Sequence, residues 1–217
     1  MDWPLLGVLS EADRRQLLSE ARRRRFARNE VIFHEGDPGE TLHLVARGHV
    51  ALRLHTPLGD VATARVVRAG EFFGELAVVA PGPRNATAVA LDPVETVAID
   101  REQLSRLRVA HDQVNELLLA ALVTEVRRLA SQLLEAMYVP VDKRLWRRIH
   151  DLTVVFGSEE LPATTIPLTQ DIIAQLAGCT RPTANRVLRT AEDAAHIRMT
   201  RGQLEILDVD AVRRLAQ

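Results

Sequence analysis

Between His111 and Tyr138 the chain has neither glycine nor proline, so no residue in this segment interrupts a single long helix. Its apolar side chains recur in steps of three and four residues, at Leu119, Leu122, Val126, Leu129, Leu133 and Ala136. Such steps mark the a and d positions of a coiled coil, in which one helix packs against another. A long helix lying along its own domain is the alternative, but the sustained seam favours a second helix. We therefore expect the chain to form a homodimer through this seam.

The composition is that of an ordinary globular protein, with 47% hydrophobic and 26% charged residues among 217. The longest unbroken apolar run, Leu117–Val123, has seven residues, against the ~18 needed to span a bilayer. The first residues carry no cationic segment followed by an apolar stretch, so a secretory signal is not expected. The one cysteine, Cys179, excludes a disulfide or a four-cysteine metal site within one chain. These features predict a cytoplasmic protein that does not contact membranes.

The segment from Val31 to Val97 has the pattern of short strands separated by turns. Apolar and polar residues alternate in short runs, and clusters of turn-forming residues such as Glu35–Glu40 separate them. Turn signals spaced about 8–12 residues apart are typical of a β sandwich or barrel. Upstream, Ser10–Arg25 is predicted to be helical, with Ser10 as its N-cap and the Arg22–Arg25 run as a solvated helix end.

The last third of the chain predicts two short helices joined by a turn. Leu145–Phe156 is helical in pattern, and Thr169 is placed to cap a further helix that stops at Gly178–Thr180. A second helix follows over Arg181–Glu192, and a small hairpin comes after it. This is the pattern of a helix-turn-helix. With the strands upstream, the fold class is predicted to be α+β.

One side of the second helix presents groups that can read DNA. Arg186 can donate two hydrogen bonds to a guanine edge, and Asn185 can pair in the same way with an adenine. Residues 143–217 carry 11 Lys/Arg against 9 Asp/Glu, whereas residues 1–142 carry 17 against 20. The opposite, core-facing stripe is Ala184, Val187, Leu188 and Ala191. A plain helical hairpin with a solvated polar face is the alternative. The residues expected at a DNA interface are Thr169, Thr180, Arg181, Pro182, Thr183, Asn185, Arg186 and Arg189.

A second motif lies in the region of predicted strands: Phe73-Gly74-Glu75-Leu76-Ala77, followed by Pro83-Arg84-Asn85-Ala86-Thr87-Ala88. Glycine at a turn frees backbone N–H groups for an anion. Arg84, nine residues after Glu75, can supply a cation to a phosphate while Glu75 accepts a hydrogen bond from a hydroxyl. From these residues alone, a β-turn with an exposed ion pair is the simpler interpretation.

Both motifs, in this order and at this spacing, resemble the CRP/FNR family of bacterial transcription regulators over nearly the whole chain. The resemblance implies an effector-binding β-roll of the jelly-roll type over 1–110, a dimerisation helix over 111–139 and a winged helix-turn-helix over 140–217. It implies a cyclic nucleotide such as cAMP, with its phosphate on Arg84 and its ribose 2′-hydroxyl on Glu75. The further contacts that it implies are Gly74, Leu76, Ala77 and Asn85. The implied partners are double-stranded DNA with a pseudo-palindromic operator, a second copy of the chain and RNA polymerase.

Two positions depart from the family pattern. In cAMP-responsive members, two adjacent polar residues of the dimerisation helix hydrogen-bond the adenine, and an ungapped match places Leu129 and Ala130 there. A leucine cannot read the adenine amino group, so coupling of the nucleotide to DNA is expected to be weak. A shifted register would bring Ser131 or Gln132 to the base instead. Many members have a glutamate in place of Pro182, so the preferred DNA sequence is expected to differ.

Other functions follow less directly from the sequence. A family regulator whose β-roll binds no cAMP or binds another effector is one alternative, and a cyclic-nucleotide-binding module that acts through protein contacts is another. His43, His49 and His55 recur every six residues, but strand packing explains them as well as metal binding does, and no metal is expected. The chain has no nucleophile elbow or paired-carboxylate motif that would indicate an enzyme.

Overall fold

The computed structural model describes residues 3–157 and 164–217 of the chain. The chain divides into two compact units, one formed by residues 1–55 with 65–128 and the other by residues 56–64 with 129–217. Sheets and helices occur in both, so the predicted α+β class is confirmed. The domain boundaries at 110 and 139 stay predictions.

The first part of the chain forms two four-stranded sheets with helices beside them. The elements are α1 (Pro4–Gly7), α2 (Glu11–Glu20), β1 (Arg22–Phe26), β2 (Val31–Phe33), β3 (Thr41–Arg47), β4 (His49–His55), β5 (Val61–Arg68), β6 (Phe72–Phe73), α3 (Leu76–Val79), β7 (Thr87–Ala90), β8 (Val94–Asp100), α4 (Arg101–Ala110) and α5 (Asp112–Tyr138). The strand orders are β1-β8-β3-β6 and β2-β7-β4-β5. A core drawn from both sheets, including Phe26, Val50 and Phe73, lies between them. The predicted β sandwich or barrel is thus confirmed.

Strand β3 is buried on both faces because it separates this core from a second one. Leu42 and Leu44 point into the second core, where they meet Trp3, Leu104 and Val114. Val114 belongs to the first turn of α5, so the second core anchors the start of that helix.

The expectation of a solvated helix end at Arg22–Arg25 is wrong. Helix α2 begins as predicted, with the Ser10 hydroxyl accepting from the Asp13 N–H at 3.1 Å, but it stops at Glu20. The arginines form β1, an edge strand that pairs antiparallel with β8. Backbone bonding and the burial of Phe26 fix this strand, while the four arginine side chains stay exposed. Charged side chains are well tolerated on an edge strand.

Helix α5 is uninterrupted over Asp112–Tyr138, as predicted. Beyond its anchored start, large apolar side chains lie exposed along one side: Leu119 at 56%, Val126 at 65%, Leu129 at 47% and Leu133 at 62%. Ala136 is also exposed, whereas Leu122 is half-buried. We call this row the apolar stripe.

The second part of the chain holds the helix-turn-helix. Its elements are α6 (Val141–Phe156), β9 (Thr165–Ile166), α7 (Gln170–Ala177), α8 (Arg181–Asp193), β10 (Ile197–Thr200), β11 (Gln203–Ile206) and α9 (Val209–Leu215). Gly178 takes a left-handed conformation with φ of +61° and ends α7. The antiparallel pair β10–β11 is the predicted hairpin, and β9 completes its sheet. Within residues 3–157 and 164–217, no helix has the length and apolar character that crossing a membrane requires.

Candidate functional site

Strand β6 leads into a tight turn at Gly74, after which Glu75 starts the short helix α3. Gly74 has φ of +81°, and a Cβ at this position would lie 2.6 Å from Arg84 Nη1. Both backbone conformation and packing therefore require glycine here. We call residues 73–77 and 83–88 together the cassette.

Arg84 is the buried cation of the cassette, with 4% of its surface exposed. Its Nη1 donates to the Gly74 carbonyl and its Nη2 to the Thr41 hydroxyl, each at 2.9 Å. The guanidinium also lies 4.0 Å from the centre of the Phe33 ring. Burial lowers the Arg84 pKa, while Asp37 and other carboxylates oppose the shift, and an arginine stays charged in any case. Its Nε is buried and has no hydrogen-bond partner among the described residues.

Glu75 is a half-buried carboxylate in the same charged neighbourhood. Burial raises its pKa, and the positive charges of Arg65 and Arg84 oppose that shift. Arg65 lies 3.8 Å from Glu125 of α5, which Arg128 holds at 2.5 Å. The carboxylate is thus surrounded by alternating charges from a strand, a turn and a helix.

The structure brings the predicted cassette residues together around one turn. Ala77 is buried and Leu76 is 37% exposed, while Asn85 is exposed next to Arg84. On α5, Leu129 and Ala130, the two residues predicted to face an adenine, are both exposed, whereas Gln132 is half-buried.

Helix α8 has one buried side and one exposed side. The predicted core-facing stripe is confirmed, since Ala184, Val187, Leu188 and Ala191 are all buried. Arg181, Arg186 and Arg189 are exposed, as is Pro182. No carboxylate of the described residues lies within 4.0 Å of these three guanidinium groups. An uncompensated row of cations on a helix surface is suited to bind a polyanion.

Threonines cap both helices of the motif, as predicted. The Thr169 hydroxyl accepts from the Ile172 N–H, and the Thr180 hydroxyl accepts from the Thr183 N–H, each at 3.4 Å. The hydroxyls of Thr180 and Thr183 are also hydrogen-bonded to each other at 2.9 Å. These bonds fix the start of α8, where Arg181 projects.

Asn185 is linked to two other elements. Its Nδ2 donates to Gln170 Oε1 at 2.9 Å, and Gln170 Nε2 approaches Met199 Sδ at 2.9 Å. Gln170 starts α7 and Met199 belongs to β10. One amide hydrogen of Asn185 is therefore already engaged within the protein.

Two family patterns match the chain: the cyclic nucleotide-binding domain over residues 23–111 and the Crp-like helix-turn-helix domain over residues 127–215. The CRP-like cAMP-activated global transcriptional regulator of Mycobacterium tuberculosis is 30% identical over 194 residues, which cover 88% of this chain and 87% of that protein. The chain belongs to the CRP/FNR family of transcription regulators. The cyclic AMP receptor protein of Thermus thermophilus is 32% identical over 219 residues, covering 98% and 96% of the two chains.

A solved structure shares the fold of this chain. The c-di-GMP-responsive global regulator CLP of Xanthomonas campestris superposes with a TM-score of 0.76, covering 91% of this chain and 99% of that one at 21% identity.

The sequence does not predict four residues that lie beside the cassette of this CRP/FNR regulator: Phe33, Thr41, Arg65 and Glu125. The spacing of Glu125 and Arg128, three apart on a helix, is a signal for their ion pair. Phe33 and Thr41 come from strands more than 40 residues before Arg84, and no local pattern connects them with it.

The three regularly spaced histidines have separate partners. His43 bonds to Thr96, His49 to Asp92 and His55 to Glu35. Among the described residues, no cluster of three or more His, Cys, Asp or Glu could hold a metal ion.

Proposed function

We propose that this CRP/FNR regulator is a homodimer that inserts α8 of each copy into the major groove of a pseudo-palindromic operator. In such complexes the half-sites lie about one helical turn apart. The observation that carries the proposal is the division of α8 into a buried apolar stripe and an exposed face with Arg181, Arg186 and Arg189. A bacterial protein that binds DNA works in the cytoplasm. RNA polymerase as a further partner stays a prediction.

The residues of the motif take different roles in this proposal. Arg186 reads a base edge, most simply a guanine, and Arg181 contacts a base or a nearby phosphate. Asn185 donates one amide hydrogen to Gln170 and keeps its carbonyl and second amide hydrogen for an adenine. The remaining polar groups contact phosphates of the DNA backbone: Thr169, Thr180, Thr183 and Arg189.

A randomised-site selection tests the base contacts. Arg186→Ala should cost about 1–3 kcal/mol and relax the preference at one position in each half-site. Pro182→Glu should move the half-site toward the sequence common in the family, because a carboxylate can accept from a cytosine amino group. Arg213→Ala removes an exposed arginine of α9 outside the motif and is the matched control. If all four proteins select the same sequence, or none, α8 is not the recognition helix.

We infer further that the cassette binds a cyclic nucleotide. Arg84 supplies the cation for the phosphate, Gly74–Ala77 supply backbone and packing contacts, and Glu75 accepts from the ribose 2′-hydroxyl. The support is a buried guanidinium that has an unpaired Nε beside a glycine turn. cAMP is the first candidate because the names of two relatives include it. A different effector is the second, because Leu129 and Ala130 offer an adenine no hydrogen bond.

Calorimetric titration with cAMP, cGMP and c-di-GMP tests the inference. Arg84→Ala should abolish nucleotide binding, whereas Arg47→Ala, which removes an exposed arginine at the end of β3, should not. Burial raises the Glu75 pKa. As the pH falls, nucleotide binding should therefore begin to weaken at a higher pH than it would if this glutamate had its ordinary pKa. Glu75→Gln should remove this pH dependence. We expect cAMP to change operator affinity little. Tight cAMP binding that sharply raises operator affinity would contradict the weak coupling.

A further inference from the structure

The first unit contains a cavity that shares no residue with the cassette. Its volume is about 460 Å³, which is within the range of small-molecule sites. Helix α2, strand β1 and the neighbouring strands β3 and β8 contribute its walls. We call it the arginine cavity, after the residues at its rim.

The floor of the arginine cavity is apolar. Trp3, Leu18 and Val97 line it, together with Ala46. The indole N–H of Trp3 donates to the Val45 carbonyl at 2.8 Å, so the ring presents only carbon surface to the cavity. A ligand that fits here needs an apolar body.

The rim is strongly cationic. Arg14 of α2 and Arg23 and Arg25 of β1 line it, and Glu95 is the carboxylate among its described lining residues. Glu95 pairs with Arg25 at 3.0 Å, and no carboxylate of the described residues lies within 4.0 Å of Arg23. Charged residues on an edge strand deter aggregation, which accounts for arginines on β1. It does not account for a ligand-sized cavity beneath them with a further arginine from another element.

We propose that the arginine cavity binds a small amphipathic anion. Arg23, with Arg25 nearby on the same face of β1, holds a carboxylate or phosphate head by charge-assisted hydrogen bonds. The apolar body of the ligand lies against Trp3 and Val97. The cavity is a ligand site separate from the cyclic-nucleotide cassette, and it does not depend on the proposed function of that cassette.

Octyl phosphate, used below its micelle-forming concentration, is a suitable probe, with octanoate as the carboxylate counterpart. A ligand of this size should bind with a dissociation constant of about 10 μM to 1 mM. Octanol lacks the charge and inorganic phosphate lacks the apolar body, so both should bind at least about 10-fold more weakly. Calorimetry gives the affinity. The indole N–H signals in a ¹⁵N-labelled protein locate the site, since Trp3 should shift and Trp146, the other tryptophan, should not.

Variants separate the arginine cavity from other sites. The double variant Arg23→Ala/Arg25→Ala should weaken octyl phosphate binding about 10-fold or more. Arg22→Ala, on the same strand but outside the cavity lining, is the matched control and should bind as wild type does. Ala46→Phe should block binding, because the larger side chain fills the floor of the cavity while the charged side chains at the rim are unchanged. All these arginines are exposed, so circular dichroism should show unchanged folding.

Three results would overturn the proposal. One is a calorimetric titration that shows no heat of binding, together with an unchanged Trp3 indole N–H signal, at millimolar octyl phosphate. Another is an equal loss of affinity in Arg22→Ala and the double variant, which would indicate non-specific attraction to β1. The third is loss of binding in Arg84→Ala with the double variant unaffected, which would place the probe in the cassette.

Discussion

At the scale of single residues, His43 shows what the two-sheet core does to a polar side chain. It is 6% exposed, it stacks on the Phe73 ring with centroids 5.1 Å apart, and its ring nitrogens bond to Thr41 and Thr96 at 3.1 Å. Burial, together with the positive charge of Arg84, lowers the His43 pKa from 6.5 to about 3. The neutral imidazole is therefore part of the folded structure.

We expect acid to destabilise the protein through His43. Between pH 6.5 and about 3, His43 is protonated in the unfolded chain but neutral in the folded chain. The free energy of unfolding therefore falls as the pH falls. For this one residue the loss from pH 7 to pH 5 should be about 2 kcal/mol. Urea unfolding at the two pH values should show His43→Gln losing less stability than wild type by that amount. His34→Gln, at an exposed histidine, should behave as wild type, and equal losses in all three proteins would contradict the assignment.

The residues of the cassette differ in how far the sequence predicts them. The motif that contains Gly74, Glu75 and Arg84 is a local pattern of turn chemistry and charge, but its interpretation as a nucleotide site comes from the resemblance to the CRP/FNR family. The structure places the three residues around one turn. No local pattern predicts that Thr41 and Phe33 hold the Arg84 side chain, because strand pairing brings them from elsewhere in the chain. The bond between Asn185 and Gln170 likewise joins two helices and has no local signal. A helical wheel of α8 shows which side a residue occupies but not what it meets there.

At the scale of elements, periodicity predicts the helices better than the strand β1. Both α5 and α8 follow from apolar residues recurring at helical spacing. Strand β1 does not, because four consecutive arginines carry no alternation and only pairing with β8 makes them a strand. Tertiary pairing overrides local preference most readily where a sequence lacks a pattern.

The junction of α5 and α6 is held by charges. Glu135 near the end of α5 accepts from Arg147 at 3.1 Å and from Arg148 at 2.6 Å, both on α6. Arg144 of α6 also donates to the Ala136 carbonyl at 3.0 Å. The Glu135 side chain is 17% exposed, so its charge is largely removed from water and depends on these partners.

We expect Glu135→Gln to destabilise this part of the protein by about 1–3 kcal/mol, because two guanidinium groups would lose their shared carboxylate. Thermal or urea unfolding measures the effect. Glu116→Gln is the matched control, since Glu116 is an exposed residue of the same helix. The same stability in both variants would show that the Glu135 pairs contribute nothing measurable.

At the scale of the whole molecule, the net charge of −1 gives DNA no general attraction. Binding to an operator must then come from the local row of cations on α8 and from joining two such helices. Linking two weak half-site interactions raises overall affinity by about 10²–10⁴ without any new contact. The apolar stripe of α5 is the proposed link.

Dimerisation through the apolar stripe should determine the affinity for a full operator. Val126→Glu places a charge on the stripe, and burying it unpaired between two helices would be strongly destabilising to a dimer. Sedimentation should show a monomer, and affinity for a full operator should fall by about 10² or more while affinity for a single half-site stays unchanged. Leu58→Glu is the matched control, because Leu58 is 92% exposed in the turn before β5 and should leave a dimer with wild-type affinity. If Val126→Glu sediments as a dimer and keeps wild-type operator affinity, the copies meet through some other surface.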